Sequence, residues 1–322
     1  MSGMSKTHAD PTMTQTNPDF TDILEQIQSE IQAELGKGKV ADYIEALARI
    51  DPRKFGMAVC SVDGEEWACG DADENFSIQS ISKVFTLMLA VQEVGADALW
   101  ARVGREPSGS AFNSLVLLEA EKGFPRNPFI NAGALVVTDC IVEHSAHPSR
   151  RILSWVSELA GNASIRIDEE VALSEAKTGF RNAAIANFLK SHGNLHSDVD
   201  LVLDAYFRQC AISMSCRDLA RAFLPLANRG IAPKTGKVVL PRERARRVNA
   251  LMLTCGLYDG VGNFAFRVGI PAKSGVGGGI VGVIPGELSV CVWSPELDEA
   301  GNSLAGTKAL ERFTDLTGLS VF

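Results

Sequence analysis

Basic residues are in short supply, with 31 Lys and Arg against 39 Asp and Glu and a formal net charge of -8. A chain of that sign has no electrostatic footprint for a phosphate backbone, so nucleic acid is not an expected partner. No run of eighteen apolar residues occurs, which leaves no expected membrane-spanning helix. Residues 1–17 are rich in Ser, Thr, Asp and Asn and lack the apolar stretch of a secretory signal. They read as a disordered tail on a cytoplasmic protein.

Metal-ligating and redox patterns are equally sparse. The five histidines, at 8, 144, 147, 192 and 196, never take the paired helical spacing of a zinc site, and no metal or cofactor is expected. Cysteines stand singly at 60, 69, 140, 210, 216, 255 and 291, an odd total without any Cys-x-x-Cys. They read as small core hydrophobes in a reducing compartment. Internal repeats, low-complexity segments and Pro/Gly-rich linkers are absent.

What is present is a hydrophobic share of 46% over 322 residues, ample for a sizeable core. Apolar residues at helical spacing predict a helix over 19–35, stopped by Gly36. Residues 56–70 alternate around Asp63-Gly64, a dipeptide suited to the positive backbone angles of a hairpin turn. Over 80–95 the pattern is apolar on most sides, predicting a helix in the middle of the protein. From 131 to about 216 the chain reads as wholly helical, with helices over 131–144, 150–160, 181–191 and 198–210. Two more, at about 216–229 and 241–255, lead to strands over 264–268, 279–285 and 287–293 and a closing helix over 303–316. The expectation is an α/β (α+β) fold: one antiparallel sheet drawn from both ends of the chain and flanked by helices, with an all-helical subdomain alongside. The sheet-containing part covers about 18–95 and 241–322, the helical part about 96–240.

Ser80-Ile81-Ser82-Lys83 has the form Ser-x-x-Lys, which on a helix puts a hydroxyl and an amine on one face. A lysine buried against apolar neighbours loses affinity for its proton and can take the hydroxyl's instead. Spacing alone does not decide, because Ser174-Glu175-Ala176-Lys177 repeats it in a polar stretch. The other reading of Ser80 is a helix cap beside a solvated Lys83. Lys273-Ser274-Gly275 has the form of a further signature of the penicillin-recognising serine acyl enzymes. The run Val276-Gly277-Gly278-Gly279 after it could bring a backbone N–H to an oxyanion. Ser-x-Asn, another part of that pattern, does not occur.

Several segments together resemble the glutaminase family, serine-dependent enzymes whose catalytic domain is similar in fold to the beta-lactamases and transpeptidases. They include Ala41-Asp42-Tyr43-Ile44, Gln79 to Lys83, Asn127-Pro128-Phe129-Ile130-Asn131-Ala132-Gly133-Ala134, Ser174-Glu175 with Arg181-Asn182, Tyr206-Phe207, Cys255-Gly256-Leu257-Tyr258-Asp259 and Pro271 to Val276. The resemblance runs from about 41 to 303. It implies hydrolysis of L-glutamine to L-glutamate and ammonia, with Ser80 as nucleophile, Lys83 as its proton acceptor and Tyr258 as a second acid/base. It places the oxyanion hole on the backbone N–H groups of Ser80 and Val276. Substrate contacts fall on Tyr43, Gln79, Ser80, Asn131, Glu175, Asn182, Tyr206, Tyr258 and Val276, and the assembly is a homo-oligomer, dimer or tetramer. Without the resemblance the three tyrosines read as packing residues, Asn131 and Asn182 as helix caps and Glu175 as a solvated loop acid. The alternatives are a penicillin-recognising acyl enzyme and a non-catalytic glutamine sensor.

Overall fold

Why residues so far apart in sequence come together is settled by one sheet. The computed structural model describes residues 19–109 and 113–322; the expected tail over 1–17 lies outside them. Helix α1 (Thr21–Ile31) is followed by the hairpin β1 (Gly56–Ser61) and β2 (Glu66–Gly70), then by β3 (Phe76–Ser77). A 3-10 turn, Gln79–Ile81, opens α2 (Ser82–Glu93), and two short helices follow, α3 (Ala96–Trp100) and α4 (Leu115–Ala120). The helical stretch comprises α5 (Asn131–His144), α6 (Pro148–Ala160), α7 (Glu169–Thr178), α8 (Phe180–Ser191) and α9 (Val199–Cys210), interrupted by β4 (Arg166–Ile167) and ended by β5 (Ile212–Met214). Then come α10 (Cys216–Ala227), α11 (Arg242–Cys255), a 3-10 turn Tyr258–Gly260, α12 (Val261–Arg267), β6 (Ala272–Ser274), β7 (Gly279–Ile284), β8 (Leu288–Trp293) and α13 (Leu304–Thr317).

The main sheet has the order β2-β1-β8-β7-β6 and is antiparallel at every pairing. The register of β1 on β8, Gly56 opposite Trp293 to Ser61 opposite Leu288, joins the two ends of the chain. Both faces are covered. Met57, Val59, Ile280, Val290 and Val292 point into a core with α1 and α13, while Ala58, Cys60, Val281, Cys291 and Trp293 point into a larger core with α2, α5 and α10. Alternate residues thus serve opposite cores, which is why β1, β7 and β8 are buried along their whole length. Leu24, Ile27 and Ile31 supply the buried stripe of α1, each worth about 1.5–3 kcal/mol against exposure.

Helix α2 is the hub expected of it: every residue from Ser82 to Val91 is buried, and it packs on α5 and α6. A small sheet of order β3-β5-β4 links the strand that leads to Ser80 to the helical region. Three expectations are corrected. Residues 264–267 are helix, with Val268 as its C-cap, rather than strand: Phe264 is buried and Phe266 is 91% exposed on a two-turn helix whose alternation mimics a strand. The stretch after 131 is not wholly helical, since β4 and β5 interrupt it. Glu175 does not sit in a loop but on α7, whose first turn is held by the Asp168 side chain accepting from the Glu170 and Val171 amides.

Candidate active site

Ser80 sits where strand β3 passes into α2. The Ile78 amide donates to the Ile212 carbonyl at 2.9 Å, fixing the approach, and Gln79 takes a left-handed φ of 49°. That conformation costs a non-glycine residue of order 1 kcal/mol or more. It is held by the packed surroundings, and the Gln79 side chain is itself anchored by its Nε2 donating to Ser77 Oγ at 3.0 Å. One helical turn on, Lys83 is 1% exposed. Its Nζ donates to the Phe129 carbonyl at 3.1 Å and to Asn131 Oδ1 at 2.7 Å. Burial lowers its pKa from the ordinary 10.5 to about 8, with weaker opposing pulls from Cys210 and Glu175.

Asn131, the first residue of α5, is the hinge of a short relay, since its Nδ2 also donates to Asn182 Oδ1 at 2.9 Å. The entry to α5 is shaped by Asn127, whose Oδ1 accepts from the Phe129 and Ile130 amides at 3.0 and 3.1 Å. Gly133 faces that loop so closely that a Cβ would overlap the Asn127 carbonyl.

The glycine-rich turn after β6 lies directly on the backbone leading into Ser80. A Cβ on Gly275 would stand 2.5 Å from the Ile78 carbonyl oxygen and 3.2 Å from the Ser80 nitrogen, and one on Gly277 would overlap the Ser77 carbonyl. Only glycine permits this contact, which brings Val276 to the same wall as Ser80. Tyr258 stands opposite, also at a left-handed φ of 49°. Burial raises its phenol above the ordinary range, and hydrogen bonding with Ser80 and Ser274 acts against that rise.

Tyr43, Gln79, Ser80, Asn131, Glu175, Asn182, Tyr206, Tyr258 and Val276 all line one cavity of about 370 Å³. Lys83 is not on its wall; it bonds from behind to Asn131, which is. Glu175 is half-buried, and burial pushes its carboxyl up to about 7, against the downward pull of a Gln79 hydrogen bond and of Lys83. Tyr206 is buried with its ring centroid 5.9 Å from Lys83 Nζ, whereas Tyr43 is 57% exposed at the rim. Arg181, Cys210 and Glu299 line the cavity as well and went unassigned in the sequence. Arg181 adjoins a recognised asparagine, but nothing local marks Glu299. Among the described residues, Asp139, Glu143 and His196 bring potential ligand atoms within 4.8 Å of one another. The Arg102 guanidinium already pairs with both carboxylates.

The family described as Glutaminase matches residues 38–322. A curated glutaminase of Aeromonas salmonicida (strain A449) is 56% identical over 302 residues, 94% of this chain and 99% of that one. The glutaminase of Rhizobium etli (strain CIAT 652) is 58% identical over 308 residues, covering 94% and 99%. Of solved structures, the Bacillus subtilis "Probable Glutaminase" superposes with a TM-score of 0.87 at 35% identity, over 94% of this chain and 97% of that one. Mglu in its glutamate form gives 0.88 at 39% identity, over 94% and 69%. With the family match spanning most of the sequence and the fold shared with solved glutaminases, the chain belongs to the glutaminase family.

Proposed function

We propose that the protein hydrolyses L-glutamine to L-glutamate and ammonia through an acyl-enzyme on Ser80. The observation that carries this reading is Lys83: a fully buried amine one helical turn from a serine, held toward neutrality by desolvation and hydrogen-bonded to a residue of the cavity wall. Ser80 Oγ attacks the side-chain amide carbon of glutamine while Lys83 accepts its proton. The Ser80 and Val276 amides receive the developing oxyanion, a contribution of roughly 3 kcal/mol per donor in comparable sites. Tyr258 protonates the departing ammonia. Water then attacks the glutamyl ester by the reverse proton path, and Ser80 is regenerated.

The rest of the cavity suits an α-amino acid. Glu175 neutralises the ammonium, while Asn131, Asn182 and the hydroxyls of Tyr43 and Tyr206 donate to the carboxylate without adding charge. Gln79 orders the approach to Ser80. Fixing both ends of the substrate leaves its amide at the nucleophile. That Mglu was solved in a glutamate form supports a pocket of this shape. We take the chain as two halves, with Ser80, Tyr258 and Val276 from the sheet-containing part and Asn131, Glu175, Asn182 and Tyr206 from the helical part; the reaction runs at their seam. A homo-oligomeric, cytoplasmic enzyme completes the reading, to be checked by light scattering and cell fractionation.

The test is acid quenching during turnover followed by peptide mass mapping. A glutamyl adduct on the Ser80 peptide, absent from Ser80→Ala, supports the route. A Ser80→Ala enzyme that still releases ammonia ends it, and one that binds glutamine with no turnover in either form points to the sensor.

A further inference from the structure

A cavity of about 610 Å³, larger than the one around Ser80, opens on the first half of α11. Arg242, Ala245, Arg246 and Asn249 line it, spaced three and four residues apart and so sharing one face of that helix. Arg229 joins them from beyond the end of α10, at a left-handed φ of 55°, and the β7–β8 turn closes the remaining side with Pro285 and Gly286. Arginines one helical turn apart repel each other, and Arg229 adds a third positive charge. Elsewhere such charges are neutralised, with Arg208, Arg221, Arg267 and Arg312 each paired to a carboxylate. Among the described residues Arg229, Arg242 and Arg246 pair with none, although Glu243 shares their cavity.

The backbone around the arginines has the same polarity. Helix α11 starts at Arg242 after the N-cap Pro241, and no side chain caps it. The positive end of a fourteen-residue helix thus meets the cavity at Arg242 and Glu243. The opposing carbonyl end of α10 is already satisfied. Its Leu224, Pro225 and Ala227 carbonyls accept from the Asn228, Gly230 and Gly286 amides at 2.8, 2.6 and 2.8 Å, and its Leu226 carbonyl accepts from Asn249 Nδ2 at 3.0 Å. Asn249 itself is 7% exposed, and with Nδ2 so engaged its buried Oδ1 has no partner among the described residues. A buried acceptor left in that state is costly, and it marks where a donor belongs.

We propose that this cavity is a second ligand site, for a phosphate monoester carried on a hydroxylated body, either a sugar phosphate or a nucleoside monophosphate. The phosphate lies between Arg229, Arg242, Arg246 and the start of α11, and a hydroxyl of its carrier donates to Asn249 Oδ1. A monoester brings about two negative charges and three strong acceptor oxygens, which guanidinium forks engage bidentately. Glu243 offsets part of the positive charge and offers a further acceptor for a hydroxyl. A bare polycarboxylate has no donor for either acceptor and meets Glu243 with like charge, so the wall selects against it. No residue lines both this cavity and the one around Ser80, and the inference is independent of the acyl-enzyme reading.

The experiment is isothermal titration calorimetry of the full chain with glucose 6-phosphate, adenosine monophosphate, inorganic phosphate and citrate, with and without saturating glutamate. At least one ester is expected to bind once per chain with a Kd below about 1 mM, roughly 10-fold or more tighter than inorganic phosphate or citrate, and unaffected by glutamate. Which ester binds distinguishes the sugar from the nucleotide source. Arg229→Gln and Arg246→Gln change exposed side chains on separate elements, so at least one folded variant is expected, checked by thermal unfolding. Each should weaken the ester roughly 10-fold or more. Failure of both esters to bind that tightly would overturn the proposal, as would inorganic phosphate or citrate binding equally well. Competition by glutamate would place the ester in the cavity around Ser80, and affinity unchanged in the arginine variants would place it elsewhere; either result contradicts the assignment.

Discussion

The chain carries Ser-x-x-Lys twice on helices, once at Ser80 and Lys83 and once at Ser174 and Lys177. Lys83 is enclosed by a helix buried on all sides, its pKa driven down to about 8, while Lys177 stands exposed on α7. Spacing supplies reach in both places, but only desolvation turns an ammonium into a base. The second motif serves the cavity through the residue between its ends, because Glu175 faces the pocket. In the proposed reading the same four-residue pattern is thus chemistry at the start of one helix and scaffold for a substrate contact on another.

The comparison breaks most sharply at the serines. Ser80→Ala should lower kcat by roughly 10⁴- to 10⁶-fold with glutamine binding retained in calorimetry, whereas Ser174→Ala should stay within about 2-fold. At the lysines, Lys83→Ala should cost about 10³-fold in kcat and Lys177→Ala almost nothing; comparable losses would mean that burial is not what separates them. The backbone contact behind the nucleophile is probed by Gly277→Ala, whose methyl group would overlap the Ser77 carbonyl. It should lose roughly 10²-fold in kcat through misplacement of the turn. Gly262→Ala, with nothing within 4 Å of the added carbon, serves as its neutral counterpart. A smaller effect is expected from Asp168→Ala, which removes the cap of α7. It should cost about 1 kcal/mol in denaturant unfolding and raise KM a few-fold as Glu175 loosens, with kcat nearly unchanged.

Long, strongly patterned elements were legible in the sequence. Helix α5 runs over the expected 131–144, and β1 and β2 flank the Asp63-Gly64 turn. The pairing of distant strands followed from strand signals at both ends of the chain. Other features carried too little signal. Strands β3 and β4 have two residues each and β5 and β6 three, too short for any periodicity to register. Helix α7 is polar enough to pass for a loop, although Asp168 before Glu169-Glu170 and Lys177 near its end are helix start and stop signals that could have found it. For the site, Ser80, Lys83 and the Lys-Ser-Gly run were marked by their pattern. The other cavity-lining residues proposed as substrate contacts came from the family resemblance, since a tyrosine or asparagine has no local signature of facing a pocket. The left-handed backbone at Gln79 and Tyr258 is invisible in residue type, because tertiary packing rather than local preference imposes it.

Acidity ties these parts together. In the proposed route Lys83 must be unprotonated to act and Glu175 ionised to hold the substrate ammonium. The logarithm of kcat/KM should therefore fall as pH drops through about 8 and steepen below about 7. The most direct test is to follow the Lys83 side-chain methylene next to the amine by carbon NMR in selectively labelled protein, assigned with Lys83→Arg. A midpoint near 8 that coincides with the upper inflection of kcat/KM is the expected result. A Lys83 resonance that titrates at the ordinary 10.5, while the enzyme remains fully active at neutral pH, would contradict the claim that burial makes this lysine the base.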